Sequence, residues 1–126
     1  FIVGKYNTFV NELIKKLEEH CGKPISEFNN EDWKNISIHQ KLTEEFIREF
    51  QNKVYWSCIS IFQILSEDFI REFLYKLDWW NISKHQKLSE NFIREHQNFV
   101  DWEMIFKYQE LSEDFKKEFQ HKIGGF

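Results

Sequence analysis

Apolar residues in this chain recur at two periods at once. Locally, Phe69, Ile70, Phe73 and Leu77 fall at i, i+1, i+4 and i+8, which is helical spacing and not strand alternation. Over a longer range the pattern returns whole, with Trp33, Trp56, Trp79 and Trp102 separated by three successive intervals of 23 residues. Ile36, Ile59, Ile82 and Ile105 keep step with them, as do Gln40, Gln63, Gln86 and Gln109. Leu42, Leu65, Leu88 and Leu111 form a further series, and Phe46, Phe69, Phe92 and Phe115 another. A short constant period marks a repeat architecture, in which one unit cannot bury its apolar face alone and neighbouring units cover it.

Each unit divides into two short helices. The first is predicted from about Trp56 to Gln63 in the second copy, with Trp56, Ile59 and Gln63 on one face. Asp32, Asp78 and Asp101 stand where an N-cap would precede it, and Tyr55 takes that place in the second copy. The second helix follows Leu65, capped by Ser66, with Glu67 and Asp68 in the first turn and Phe73 and Leu77 continuing its apolar stripe. Glu44/Arg48, Glu67/Arg71, Glu90/Arg94 and Glu113/Lys117 are spaced for i,i+4 pairing along a solvated face.

Residues 1–31 do not follow the repeat. Asn7 or Thr8 can cap a helix carrying Val10, Leu13, Ile14 and Leu17, and Gly22 with Pro24 provides its stop. Leu13 to Leu17 parallels Phe46 to Phe50, so this helix reads as a degenerate half-unit closing the exposed end. The expected organisation is one all-α domain: a capping helix and loop over 1–31, four αα units over 32–123, and a tail over 124–126. The fold class is a short α-solenoid of stacked helical-hairpin repeats. A leucine-rich repeat has a compatible period but needs a strand with closely alternating leucines, and none occurs.

Composition refines this picture. Fourteen Phe and 5 Trp against 4 Gly and 1 Pro imply an aromatic core and disfavour a turn-rich β fold. The net charge of −4, with both signs interleaved, argues against nucleic acid as the main partner. No apolar run approaches the roughly 20 residues needed to span a bilayer, and no secretory pattern opens the chain. Cys21 and Cys58 form no secreted-type framework, so a soluble intracellular protein is expected.

Candidate chemistry is sparse. The repeated glutamine either binds an extended peptide or satisfies backbone groups in the turn between its two helices, and the second reading fits its presence in every copy. His39 and His85 share a repeat position with Phe62 and Tyr108, which points to a semi-buried or groove-lining aromatic site, not a metal ligand. His20-Cys21 is an isolated ligand-type pair where zinc needs about four ligands. Cys58 aligns with Asn35, Asn81 and Met104 and reads as a variable surface position, and the recurring serines read first as helix caps. Asn35-Ile36-Ser37 and Asn81-Ile82-Ser83 match the glycosylation pattern as a by-product of the repeat. No phosphate loop or nucleophile arrangement appears, so a non-catalytic protein without cofactor or metal is expected.

The unit running through Asp78-Trp79, Ile82-Ser83, Gln86, Leu88-Ser89-Glu90 and Phe92-Ile93-Arg94-Glu95 resembles uncharacterised tandem 23-residue repeats of large DNA viruses of amoebae and related viral genomes. The likeness covers about residues 32–123 and departs from the pattern at Phe106, where other copies have serine, and at His96, where they have phenylalanine. It implies a viral setting, in host cytoplasm or virion, and assigns no catalytic residue. Binding of another protein is then the leading expectation, through first-helix positions that differ between copies. Those are Lys34, Ser57, Trp80 and Glu103, and Ile38, Ile61, Lys84 and Lys107. Trp80, Lys84, His85, Lys107, Tyr108, Phe62 and Ile61 are the candidate contacts, with Trp80 either an interface anchor or a cover for the seam between repeats. Self-association of a structural protein is the second expectation, and small-molecule capture near Trp80 and His85 the third.

Overall fold

A computed structural model describes residues 6–124. The Gly125-Phe126 end of the expected tail and the first five residues lie outside the described residues. The described chain is all-helical. A capping helix α1 (Thr8–Cys21) and a 3-10 turn (Ile25–Glu27) precede four helix pairs. The pairs are α2 (Asn30–His39) with α3 (Glu44–Glu49), α4 (Trp56–Phe62) with α5 (Glu67–Glu72), α6 (Trp79–His85) with α7 (Glu90–Glu95), and α8 (Trp102–Tyr108) with α9 (Glu113–Phe119). These regular hairpins, packing helix on helix, are those of a short helical-repeat solenoid. The chain divides into two compact units, Phe1–Gln63 and Ile64–Phe126, with the boundary inside the second repeat.

In the first unit, Asn7 caps α1 by accepting from the Val10 N–H, and Gly22 ends it at φ 73°. That left-handed turn suits glycine. Val10, Ile14 and Leu17 are buried, and α1 packs on α3 as a half-unit would. The helix α2 starts earlier than expected. Its cap is Asn29, not Asp32, because the two form a capping box: Asn29 Oδ1 accepts from the Asp32 N–H and the Asp32 carboxylate from the Asn29 N–H. Asp32 also pairs with Lys23 at 2.6 Å. Trp33 packs against Phe28, Phe46 and Phe50, and α2 packs on α4.

In the second unit the same plan recurs. Asp78 and Asp101 cap α6 and α8, while Ser66, Ser89 and Ser112 cap α5, α7 and α9. The second helices are shorter than the apolar pattern predicts. α5 ends at Glu72, and Phe73 opens a turn in which its carbonyl accepts from the N–H groups of Lys76 and Leu77. Leu77 is buried all the same, placed by that turn and not by a continuing helix. The Trp79 indole N–H donates to the Leu74 carbonyl inside it, and Trp102 does the same to Gln97. Thus the half-buried tryptophans Trp79 and Trp102 edge the core with their rings and also satisfy an open carbonyl. His96 takes the phenylalanine position without disruption, stacking on Phe92 at 4.3 Å.

Polar positions repeat because they join successive hairpins. Gln109 donates to the carbonyls of Ser83 and Gln86 and accepts from the Leu88 N–H, all in the preceding repeat. Gln63 treats Ser37, Gln40 and Leu42 in the same way within the first unit. The glutamine therefore serves backbone, as expected, but in the neighbouring turn and not its own. Ser37 and Ser83 are fully buried, and each accepts at Oγ from the backbone N–H that precedes the next tryptophan, Tyr55 and Asp101 respectively. The i,i+4 reading of the acids also changes. Glu67 and Glu90 each hold the backbone N–H and hydroxyl of the next serine cap, Ser89 and Ser112. Arg71 and Arg94 reach the next repeat's Glu95 and Glu118.

Candidate functional site

The first helices carry outward residues that none of these bonds requires. In α6 the Asp78 cap sets the entry of the helix, so Trp79 turns inward against Phe92, His96 and Phe99. Trp80, about 100° further round the helix, faces out and remains 46% exposed. Lys84, one turn on, lays its ammonium over the Trp80 ring at 4.9 Å from the centroid. The same ammonium stands 5.1 Å from the centroid of Tyr108, at the end of α8. Lys107 approaches Tyr108 as well, at 5.7 Å. Tyr108 is 46% exposed, so two rings and two cations form an accessible cluster.

Beside it lies a cleft of about 350 Å³, lined by Lys84, His85, Lys87, Leu88, Tyr108 and Glu110, with Gln86 and Gln109 also on its wall. Gln109 is committed to backbone, so the base of the cleft is rigid and the basic and aromatic side chains on its rim are the adaptable part. A second cleft of about 780 Å³ lies beyond α8, bounded by Trp102, Phe106, Lys107, Lys122 and Ile123 among others. There Phe106 replaces the serine of the other copies, contacts Trp102, and offers no hydroxyl to a following backbone N–H.

Five of the seven expected contacts, Trp80, Lys84, His85, Lys107 and Tyr108, therefore come together in the second unit. In the first unit, Phe62 at the end of α4 is 53% exposed and Ile61 is half-buried. The position shared by His39, Phe62, His85 and Tyr108 is exposed throughout, not semi-buried, because it closes the first helix on its outer side. Cys58 is the opposite correction. Its place, like that of Met104, turns into the core, and Cys58 is only 9% exposed.

Lys87 and Glu110 escaped the sequence reading, although the series Lys41, Ile64, Lys87 and Glu110 varies as openly as the positions chosen. Among the described residues no three His, Cys, Asp or Glu side chains gather as a metal site would need. The resolved electrostatic shifts lie elsewhere. Burial, more than Asp32, raises the Cys21 thiol against the opposing Lys23, and a hydrogen bond to Glu118 raises Arg94. Comparison with protein-family models, curated proteins and solved structures found no match for this chain.

Proposed function

We propose that this chain is a non-catalytic protein-binding module whose contacts are made by the exposed first-helix positions, with Trp80 as anchor. One observation carries the reading. Residues that tie hairpins together recur, while outward residues at the same register, Lys34, Ser57, Trp80 and Glu103, are all exposed and all different. A scaffold held by repeated contacts leaves such positions unconstrained by folding, and large rings there suit a protein partner. The resemblance to viral repeats favours a host protein as that partner.

The test is affinity capture from a host lysate with wild type and Trp80→Ala, read by mass spectrometry. Loss of one specific protein in the variant supports the module. Equal recovery by both would remove Trp80 as anchor. The apolar side of the 780 Å³ cleft, with Trp102, Phe106 and Ile123, favours self-association as a second reading. Capture of only this chain's own assemblies, together with mass growing with concentration in light scattering, would select it. No helix among the described residues is long and apolar enough to cross a membrane.

A further inference from the structure

We infer that α8 is the interface of a closed two-fold dimer, its open face packing antiparallel against the same face of a second copy of this chain. This rests on the self-association reading above and fixes its surface and stoichiometry. Within each unit a first helix receives its successor on one face. In α6 that face carries Ser83, which accepts from the Asp101 N–H, and Lys84, which reaches Tyr108 of α8. In α2 Ser37 accepts from the Tyr55 N–H in the same way. The register counterparts of Trp79, Trp80, Ser83 and Lys84 one repeat on are Trp102, Glu103, Phe106 and Lys107, and all four line the 780 Å³ cleft. The cleft is thus the receiving face of α8. A 3-10 turn (Gln120–Ile123) packs beside it, and no further first helix lies in it among the described residues. Where the pattern calls for Asp-Trp the chain has Gly124-Gly125.

Burial at matched positions marks what this face leaves uncovered. Ser37 and Ser83 are fully buried, but Phe106 at their position is half-exposed, with its ring against Trp102. Leu42, Leu65 and Leu88 are buried while Leu111 is half-exposed, and Val54, Leu77 and Val100 are buried while Ile123 is half-exposed. Covering that apolar surface drives association. The charges suit a second copy. Two acids, Asp101 and Glu103, and two bases, Lys107 and Lys122, line the cleft, so it is neutral in a chain of net charge −4. Two such faces meet without net repulsion. Glu103 stands in the first turn of α8 and Lys107 in its last, so antiparallel pairing sets the acidic end of each helix against the basic end of the other. Head-to-tail growth has no counterpart for this face. In the first repeat α1 already packs on α3, and α2 exposes Asn35 where α4 and α8 bury Cys58 and Met104. Like faces meet instead, and such an isologous contact closes at two chains.

Sedimentation velocity over a concentration series tests this. The mass should rise from 15.6 kDa to twice that value and stop. Phe106→Lys, at a half-exposed side chain, should raise the dimer Kd at least about tenfold while keeping the wild-type helical circular dichroism. Lys107→Glu should weaken dimerisation about tenfold, and adding Glu103→Lys should restore it to within about threefold, because both copies then carry the swapped pair. Lys15→Glu, the same change of charge on α1, should alter it less than about twofold. Mass growing past two chains would overturn the closed dimer and leave self-association standing. A monomer at all concentrations up to about 1 mM would overturn both. A dimer indifferent to Phe106→Lys, or a charge swap that fails to restore it, would overturn this face and this pairing. Capture of another protein through Trp80 stands or falls apart from these outcomes.

Discussion

Gln109 and Gln40 occupy the same repeat position, yet they do different work. Gln109 meets three backbone groups of the preceding turn, whereas Gln40 has no full repeat before it and its amide reaches His20 at 3.4 Å on the exposed side. Removing Gln109 strands a part-buried N–H and two carbonyls, so Gln109→Ala should cost roughly 1–3 kcal/mol. Gln40→Ala should cost under about 0.5 kcal/mol, as a surface change does. Urea denaturation of both variants checks the contrast, and similar losses would refute the assignment. The two adjacent tryptophans differ in the same way. Trp79→Ala removes ring packing and the indole bond to Leu74 and should cost about 3 kcal/mol. Trp80→Ala removes an exposed ring with a lysine over it and should cost under about 1 kcal/mol.

At the scale of the element, caps decide where each short helix begins. Six- and seven-residue helices are too short to persist on propensity, so all but α4, whose first turn follows Tyr55 without a side-chain cap, rely on a side chain at the first turn. The capping box of α2 gives a pH signature. A hydrogen bond from Lys23, then one from the Asn29 N–H, holds the Asp32 carboxyl below the usual aspartate range. A depressed folded-state value means that the contribution is complete above the ordinary aspartate pKa of about 3.9 and is lost as pH falls through the lower folded value. Asp32→Asn should therefore lower the melting temperature at neutral pH. The gap to wild type should close in acid. A gap that is constant with pH would show that the carboxylate charge plays no part.

On the largest scale, cohesion within a unit is lateral, as the second unit shows. Glu67 and Glu90 hold the serine caps of the next repeat's helices, Ser83 accepts from the next repeat's backbone, and Gln109 returns to the previous one. A single repeat thus lacks both its covering apolar face and partners for its turn. A synthetic peptide of residues 79–101 should show no helical circular dichroism in water, while the full chain should melt cooperatively. A folded isolated peptide would contradict this scheme. The face left over, with Trp80, Lys84, Lys107 and Tyr108, contributes little to cohesion and is free to serve recognition.

The period of 23 residues, the helical spacing of Phe69, Ile70 and Phe73, and the serine caps were all legible in the chain, since each is a local or strictly recurring signal. The same register separated Trp79 from Trp80 and picked out Lys84, His85 and Tyr108, which line one cleft, and Trp80 and Lys107, whose contacts with Lys84 and Tyr108 place them beside it. Tertiary structure decided what local spacing does not encode. Glu67 has a partner four residues away in sequence, but Ser89 offers it two donors in the next hairpin, and packing brings those within reach. Cys58 looked variable because Asn35, Asn81 and Met104 share its position, and only the packing showed that this position turns inward for the thiol and the thioether. Helix ends moved for the same reason. Asn29 outcompetes Asp32 as the cap of α2 by pairing with it, and Leu77 reaches the core through a turn because the Phe73 carbonyl and the Trp79 indole hold that turn in place.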